Sequence, residues 1–146
     1  MTPKVLFLLD SLFPTGGAER LAVNIALSLK SSGNFVPIFC STRYGGSLEE
    51  KLNKHGIRCF LLERRRTYEL NKFRKLISIL REENVKIIHA NLRGSNFWGG
   101  VIGRLAKVPV IIAHNHGQSY DELTYRITDK IISFLTHKMI FLSKYE

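Results

Sequence analysis

At 146 residues, 45% of them apolar and 23% charged, the chain has the size and balance of one globular domain with a real core. No apolar run reaches the ~20 residues that cross a bilayer, and no small-residue cleavage site follows the opening apolar segment, so neither a membrane span nor a signal peptide is expected. The net charge of +10 is concentrated late: residues 1–63 carry seven Lys/Arg against five Asp/Glu, and residues 64–146 carry fifteen against seven.

Hydrophobic periodicity, taken in chain order, predicts strands alternating with helices. Residues 5–9 read as a strand and 18–30 as a helix with Ala18, Leu21, Ala22, Ile25, Ala26 and Leu29 inward, stopped by Gly33. A second strand is expected over 35–40 and a short helix over 47–55, opened by Ser47 as N-cap and closed by Gly56. A third strand covers 57–62, and Asn71 is expected to cap a helix running to about residue 84. Then follow a strand over 86–90, a helix over 95–106 with Phe97, Trp98, Val101, Ile102 and Leu105 inward, and a strand over 109–113. A helix within 121–136 and a strand over 139–142 complete the pattern.

This alternation implies right-handed crossovers and an α/β, doubly wound parallel sheet, Rossmann-like, in the order 3-2-1-4-5-6, forming a single domain over residues 1–146. In such a sheet ligands bind outside the carboxyl ends of the strands. The segments that fall there are 10–17, 41–46, 63–66, 91–94, 114–120 and 143 onward, which collect two glycine pairs, basic residues and a His-Asn-His cluster. The dinucleotide fingerprint is missing, because six residues from Asp10 to Thr15 separate the first strand from Gly16 and no acid ends the second strand. No Walker A pattern occurs either.

Gly16 and Gly17 lie where a helix begins, and glycines there let backbone N–H groups approach an anionic ligand. Gly45 and Gly46 read as a turn ahead of a helix. His114 and His116, ending the fifth strand, are the best candidates for chemistry, since imidazoles donate to hydroxyl or phosphate oxygens and titrate near neutrality. The two are expected on opposite sides of the extended segment, so that one of them faces the cleft. Asn91, Arg93, Asn115 and Gly117 are candidate polar contacts beside them, and Ser95 follows Arg93. His89 reads as a hydrogen-bonded histidine of the fourth strand, and His55 and His137 as surface residues on helices.

Cys40 and Cys59 form no metal spacing and are expected to be reduced core thiols of a cytosolic protein. No metal site and no self-sufficient catalytic constellation stands out, since GxSxG, DxD and paired carboxylates are all missing. Arg64, Arg65, Arg66, Lys72, Arg74 and Lys75 form the densest basic patch, opposed locally by Glu69. Such a field favours anionic partners.

Together, the Gly16-Gly17-Ala18-Glu19-Arg20 loop, the Gly45-Gly46 turn, the Ile87-Ile88-His89-Ala90-Asn91 strand and the segment from Pro109 to Gly117 resemble the N-terminal domain of a GT-B-fold, family-4 retaining glycosyltransferase. The resemblance implies that this half binds the acceptor, while a C-terminal domain grips a nucleotide-sugar donor. It further implies that Gly16 and Gly17 approach donor phosphates or acceptor, that His116 or else His114 contacts the transferred sugar, and that no bound metal or other cofactor is needed. The basic patch would seat the enzyme on an anionic membrane at the cytoplasmic side, near a glycan or lipid-linked acceptor for polysaccharide synthesis. No two glutamates stand eight apart, so the donor-binding domain with its Glu-x7-Glu pattern is expected outside residues 1–146, as a missing domain or partner subunit.

Two other readings come from different classes. A non-catalytic α/β domain could keep sugar or phosphate recognition without turnover. Nucleic acid is not expected as a partner, because the aromatics fall in core periods and no recognised motif accompanies the charge.

Overall fold

Residues Val5 to Leu9 are apolar on both faces of the pleat, which is the pattern of a strand buried on two sides. They form the centre of β1 (Lys4–Ser11), where Leu6, Phe7, Leu8 and Leu9 are fully buried. The computed structural model describes residues 1–116 and 123–142. After β1 come α1 (Gly17–Ser32), β2 (Val36–Tyr44), α2 (Ser47–Lys54), β3 (Cys59–Leu61) and α3 (Leu70–Glu82). The chain continues through β4 (Val85–Asn91), α4 (Arg93–Leu105), β5 (Val110–His114), α5 (Leu123–Leu135) and β6 (Lys138–Ile140).

The described residues form one six-stranded sheet in the order β3-β2-β1-β4-β5-β6, and every pairing is parallel, as expected. Order reverses between β1 and β4, so the switch point lies where the loops after these two strands diverge. Alternate residues of β1 feed two cores. Val5, Phe7 and Leu9 pack with Ala22, Val23 and Ala26 of α1 and Leu48 and Leu52 of α2. Leu6 and Leu8 pack with Leu76 and Leu80 of α3 and Ile102 of α4. Each fully buried Leu or Phe contributes ~1.5–3 kcal/mol relative to exposure.

Several local expectations are corrected. Gly46, with extended backbone, is the N-cap of α2, and Ser47 is its first helical residue. An alanine Cβ at Gly46 would sit 2.3 Å from the Leu12 carbonyl, so close approach of two backbones selects glycine there. Glu69 rather than Asn71 stands at the N-cap of α3. Its Oε2 accepts from the backbone N–H groups of Arg65, at 2.6 Å, and Arg66, at 3.1 Å, folding the preceding loop onto the helix start.

Leu105, expected inward, is 59% exposed, because α4 turns a small-residue face to the sheet. Gly99 and Gly103 lie against it: a Cβ at Gly99 would be 3.0 Å from Ala90 Cβ, and one at Gly103 2.8 Å from both Ile88 Cδ1 and Ile111 Cδ1. His137 lies beyond the end of α5 rather than on it, exposed but with Nδ1 accepting from the Ile111 N–H at 3.0 Å. Gly33 stops α1 as expected, in left-handed backbone with φ 70°, its N–H bonded to the Lys30 carbonyl. Cys40 is fully buried and Cys59 half-buried, both free. Burial pushes each thiol up to about 12, so neither is a thiolate near neutral pH.

Candidate functional site

A cleft of about 440 Å³ opens at the carboxyl edge beside the switch point. Gly16, Gly17 and Glu19 from the start of α1, Leu92 after β4, His116 after β5 and Leu142 after β6 line it. The long loop after β1 carries Gly16 and Gly17 over the sheet edge, which a dinucleotide-type turn tight against the strand would not do. Gly16 is extended at the N-cap of α1, and no side chain caps that helix start. The first amides of α1 face the cleft, where the buried Glu19 carboxylate lies over Gly16 and a ligand anion would have to displace it. Leu92 holds φ at 69°, a strained conformation for a branched residue, at the point where β4 hands over to α4.

Behind the cleft stand three imidazoles. His116 Nε2 lies 3.2 Å from Asn91 Oδ1, and Asn91 Nδ2 donates to the His89 carbonyl at 3.1 Å. Because the Asn91 amide group already donates through Nδ2, its oxygen is the acceptor, and His116 carries its proton on Nε2. In the neutral ring this leaves Nδ1 as the acceptor or base. His89 Nε2 meets His114 Nδ1 at 3.2 Å, and Asn96 Nδ2 donates to the His114 carbonyl at 3.1 Å. Burial, then the charges of His114 and His116, push His89 down to about 4. Burial and then His116 lower His114, and burial lowers His116, so the cluster is neutral at physiological pH.

The expectation that His114 and His116 point to opposite sides is overturned. Residues two apart on an extended segment share a face, and the two rings stack on each other. His116 is half-buried and reaches the cleft, whereas His114 is 3% exposed and stands behind it. Asn91 is completely buried and acts on His116 rather than on the cleft. Asn115 donates its backbone N–H to the Ile140 carbonyl, tying the end of β5 to β6. Arg93 turns toward α5, with Nη2 3.1 Å from Asp129 Oδ2 and its guanidinium 4.2 Å from the Tyr125 ring centre. Gly117 lies outside the described residues. Among the described residues, no three His, Cys, Asp or Glu side chains converge as metal ligands.

Sequence reasoning missed a second centre, Asp10, at the end of β1. Its Oδ1 accepts from Thr42 Oγ1 at 2.5 Å and Ser95 Oγ at 3.3 Å, and Arg64 Nη2 lies 3.6 Å away. Arg64 is therefore a buried residue, 3% exposed, and not part of an exposed patch. Burial, then the neighbouring Arg43 charge, lower its pKa, and Asp10 raises it again. Of the remaining basic residues, Arg65, Arg66, Arg74 and Lys75 are exposed and Lys72 is half-buried.

A doubly wound parallel sheet with ligand-sized clefts along its carboxyl edge defines a Rossmann-like α/β domain of the kind paired in GT-B glycosyltransferases. The family profile described as Glycosyltransferase Family 4 matches residues 15–145, and the chain belongs to that family. Among solved structures, a glycosyltransferase from Rickettsia africae matches 99% of this chain and 38% of its own, at 19% identity and TM-score 0.76. MurG from Acinetobacter baumannii matches 95% of this chain and 41% of its own, at 14% identity and TM-score 0.72. HepE from Anabaena, in complex with UDP, matches 90% and 34%, at 20% identity and TM-score 0.68. The chain thus spans less than half the length of these proteins. No curated protein matches it in sequence.

Proposed function

We propose that the chain is the N-terminal, acceptor-side half of a retaining glycosyltransferase, which moves a sugar from a nucleotide-sugar to a hydroxyl of a glycan or lipid-linked acceptor. The observation that carries this reading is the shared cleft of Gly16, Gly17 and His116 at the switch point. Helix-start amides there suit donor phosphates, and the Nδ1 atom of a neutral His116 suits a sugar hydroxyl. The UDP bound by HepE supports a nucleotide donor, which serves as substrate; no resident cofactor or metal is invoked. A second domain, or a partner subunit, would close the cleft and grip the nucleotide. The exposed Arg65, Arg66, Arg74 and Lys75, with Lys72, would hold this half against an anionic membrane on the cytoplasmic side.

The test compares release of UDP from UDP-sugars by the chain alone and by the chain joined to a donor-binding domain. Turnover by the joined protein only supports the reading. Turnover by the chain alone contradicts a half-site, and turnover by neither, despite donor binding, favours a sugar- or phosphate-binding domain without catalysis.

A further inference from the structure

A second groove, of about 520 Å³, opens at the carboxyl ends of β2 and β3, away from the His116 cleft. Arg43, Arg64 and Arg65 stand in its walls with Glu63, and Phe13 and Tyr44 rim it. The guanidinium of Arg64 is held in place from inside: Nη1 donates to the carbonyls of Arg66 and Thr67, each at 3.2 Å, and Nη2 faces Asp10. Its Nε–H is buried and has no hydrogen-bond partner among the described residues. The Nε–H of Arg43, in the same groove, is likewise buried and unpartnered among them. Asp10 Oδ1 already serves Thr42 and Ser95, so the carboxylate nearest Arg64 is shared. Glu63, directly before Arg64, takes φ 56°, a left-handed conformation that a glutamate adopts only under constraint. Also lining the groove, Phe13 and Tyr44 are 46% and 58% exposed.

Buried N–H groups without acceptors are costly and uncommon in native structures. Two of them on neighbouring cations that line one open groove are donors that an oxyanion seated there would complete. Exposed aromatic side chains beside such a pair suit the apolar face of a sugar ring.

We propose that this groove binds an oxyanion carried by the acceptor, a phosphate or carboxylate on a sugar, with the ring against Tyr44 and Phe13. This inference rests on the acceptor-side reading, and it names the acceptor's chemistry as an anionic sugar.

The test is an NMR titration of the 15N-labelled chain with glucose 6-phosphate, glucuronate and glucose at constant ionic strength. Saturable shifts of the amides at 44–46 and 63–65 with either anion, and not with glucose, support the proposal. The anion that saturates at lower concentration identifies phosphate or carboxylate. Arg43→Gln and Arg65→Gln should each weaken that binding at least tenfold, with spectra otherwise preserved; buried Arg64 is left unaltered. Equal shifts with glucose, no shifts with either anion, or unchanged affinity in both variants would overturn it. Anion binding here without turnover in the joined protein would defeat the transferase reading alone. Turnover with no anion binding would defeat this inference alone.

Discussion

The imidazole of His114 stacks on that of His116 with ring centres 4.2 Å apart and planes inclined by 26°. His89 lies nearly parallel to His114, at 6° and 5.3 Å. Side chains two apart on β5 and its extension share a face, and β4 supplies His89 in register opposite Ile112. The consequence is a column of imidazoles that repel one another's protons. His116 at its open end is kept neutral by burial and aimed by Asn91.

Acid should unfold this domain through His89. Its folded pKa, about 4, lies below the ordinary 6.5, so the unfolded chain binds more protons between these values. Stability is complete above pH 6.5 and falls as pH drops through 4, by about 3 kcal/mol from this group. Urea unfolding at pH 7, 5.5 and 4.5 should show the decline, and His89→Leu should reduce it, leaving the smaller part due to His114 and His116. A wild-type stability independent of pH over that range would contradict the neutral column.

Removal of Arg64 should destabilise the fold, and removal of Arg66 should not. Arg64→Met strips Asp10 of its buried cation and costs about 2 kcal/mol, discounted because Asp10 is one-third exposed. Arg66→Ala, on the exposed loop, should stay within about 0.5 kcal/mol. Denaturant midpoints decide; equal effects would contradict the separation of these neighbours.

The two glycine pairs should answer differently to alanine. Gly46→Ala drives a Cβ into the Leu12 backbone and should cost about 2 kcal/mol. Gly17→Ala meets nothing within 4 Å among the described residues and should be neutral or slightly stabilising. Thermal melts of both variants test this, and a Gly46→Ala protein as stable as wild type would contradict the close approach.

Membrane seating predicts salt-sensitive co-sedimentation with phosphatidylglycerol vesicles. Reversing Arg66, Arg74 and Lys75 to glutamate should reduce binding at least 100-fold, at ~1 kcal/mol for each basic residue lost. Equal binding of the wild-type chain to neutral vesicles would contradict it.

The sheet order was legible because β1 is apolar on both faces and the other strands follow at helix-length spacing. Strand ends were less so: β2 runs on to Tyr44, since Ser41 bonds the Asp10 and Tyr44 carbonyls and Thr42 bonds Asp10. The pairing of Gly16–Gly17 with His116 followed from topology, which places all strand ends on one edge. Asp10 did not announce itself, because Thr42 and Ser95 lie 32 and 85 residues away. Arg64 looked like one member of a solvated charge run, and residue type alone carries no sign of its burial. The small-residue face of α4 was readable, since Ser95, Gly99 and Gly103 recur every fourth residue, but the larger apolar residues drew the assignment of its inward face.

On the proposed reading, His116 contacts the transferred sugar from the acceptor-side half. The most direct measurement is kcat for sugar transfer by the protein joined to its donor-binding domain, in wild type and His116→Ala. A fall of about 100-fold, with Tm unchanged within a few degrees, is the predicted result for loss of a group that contacts the transferred sugar. An unchanged kcat would contradict the account and leave the cleft a structural seam.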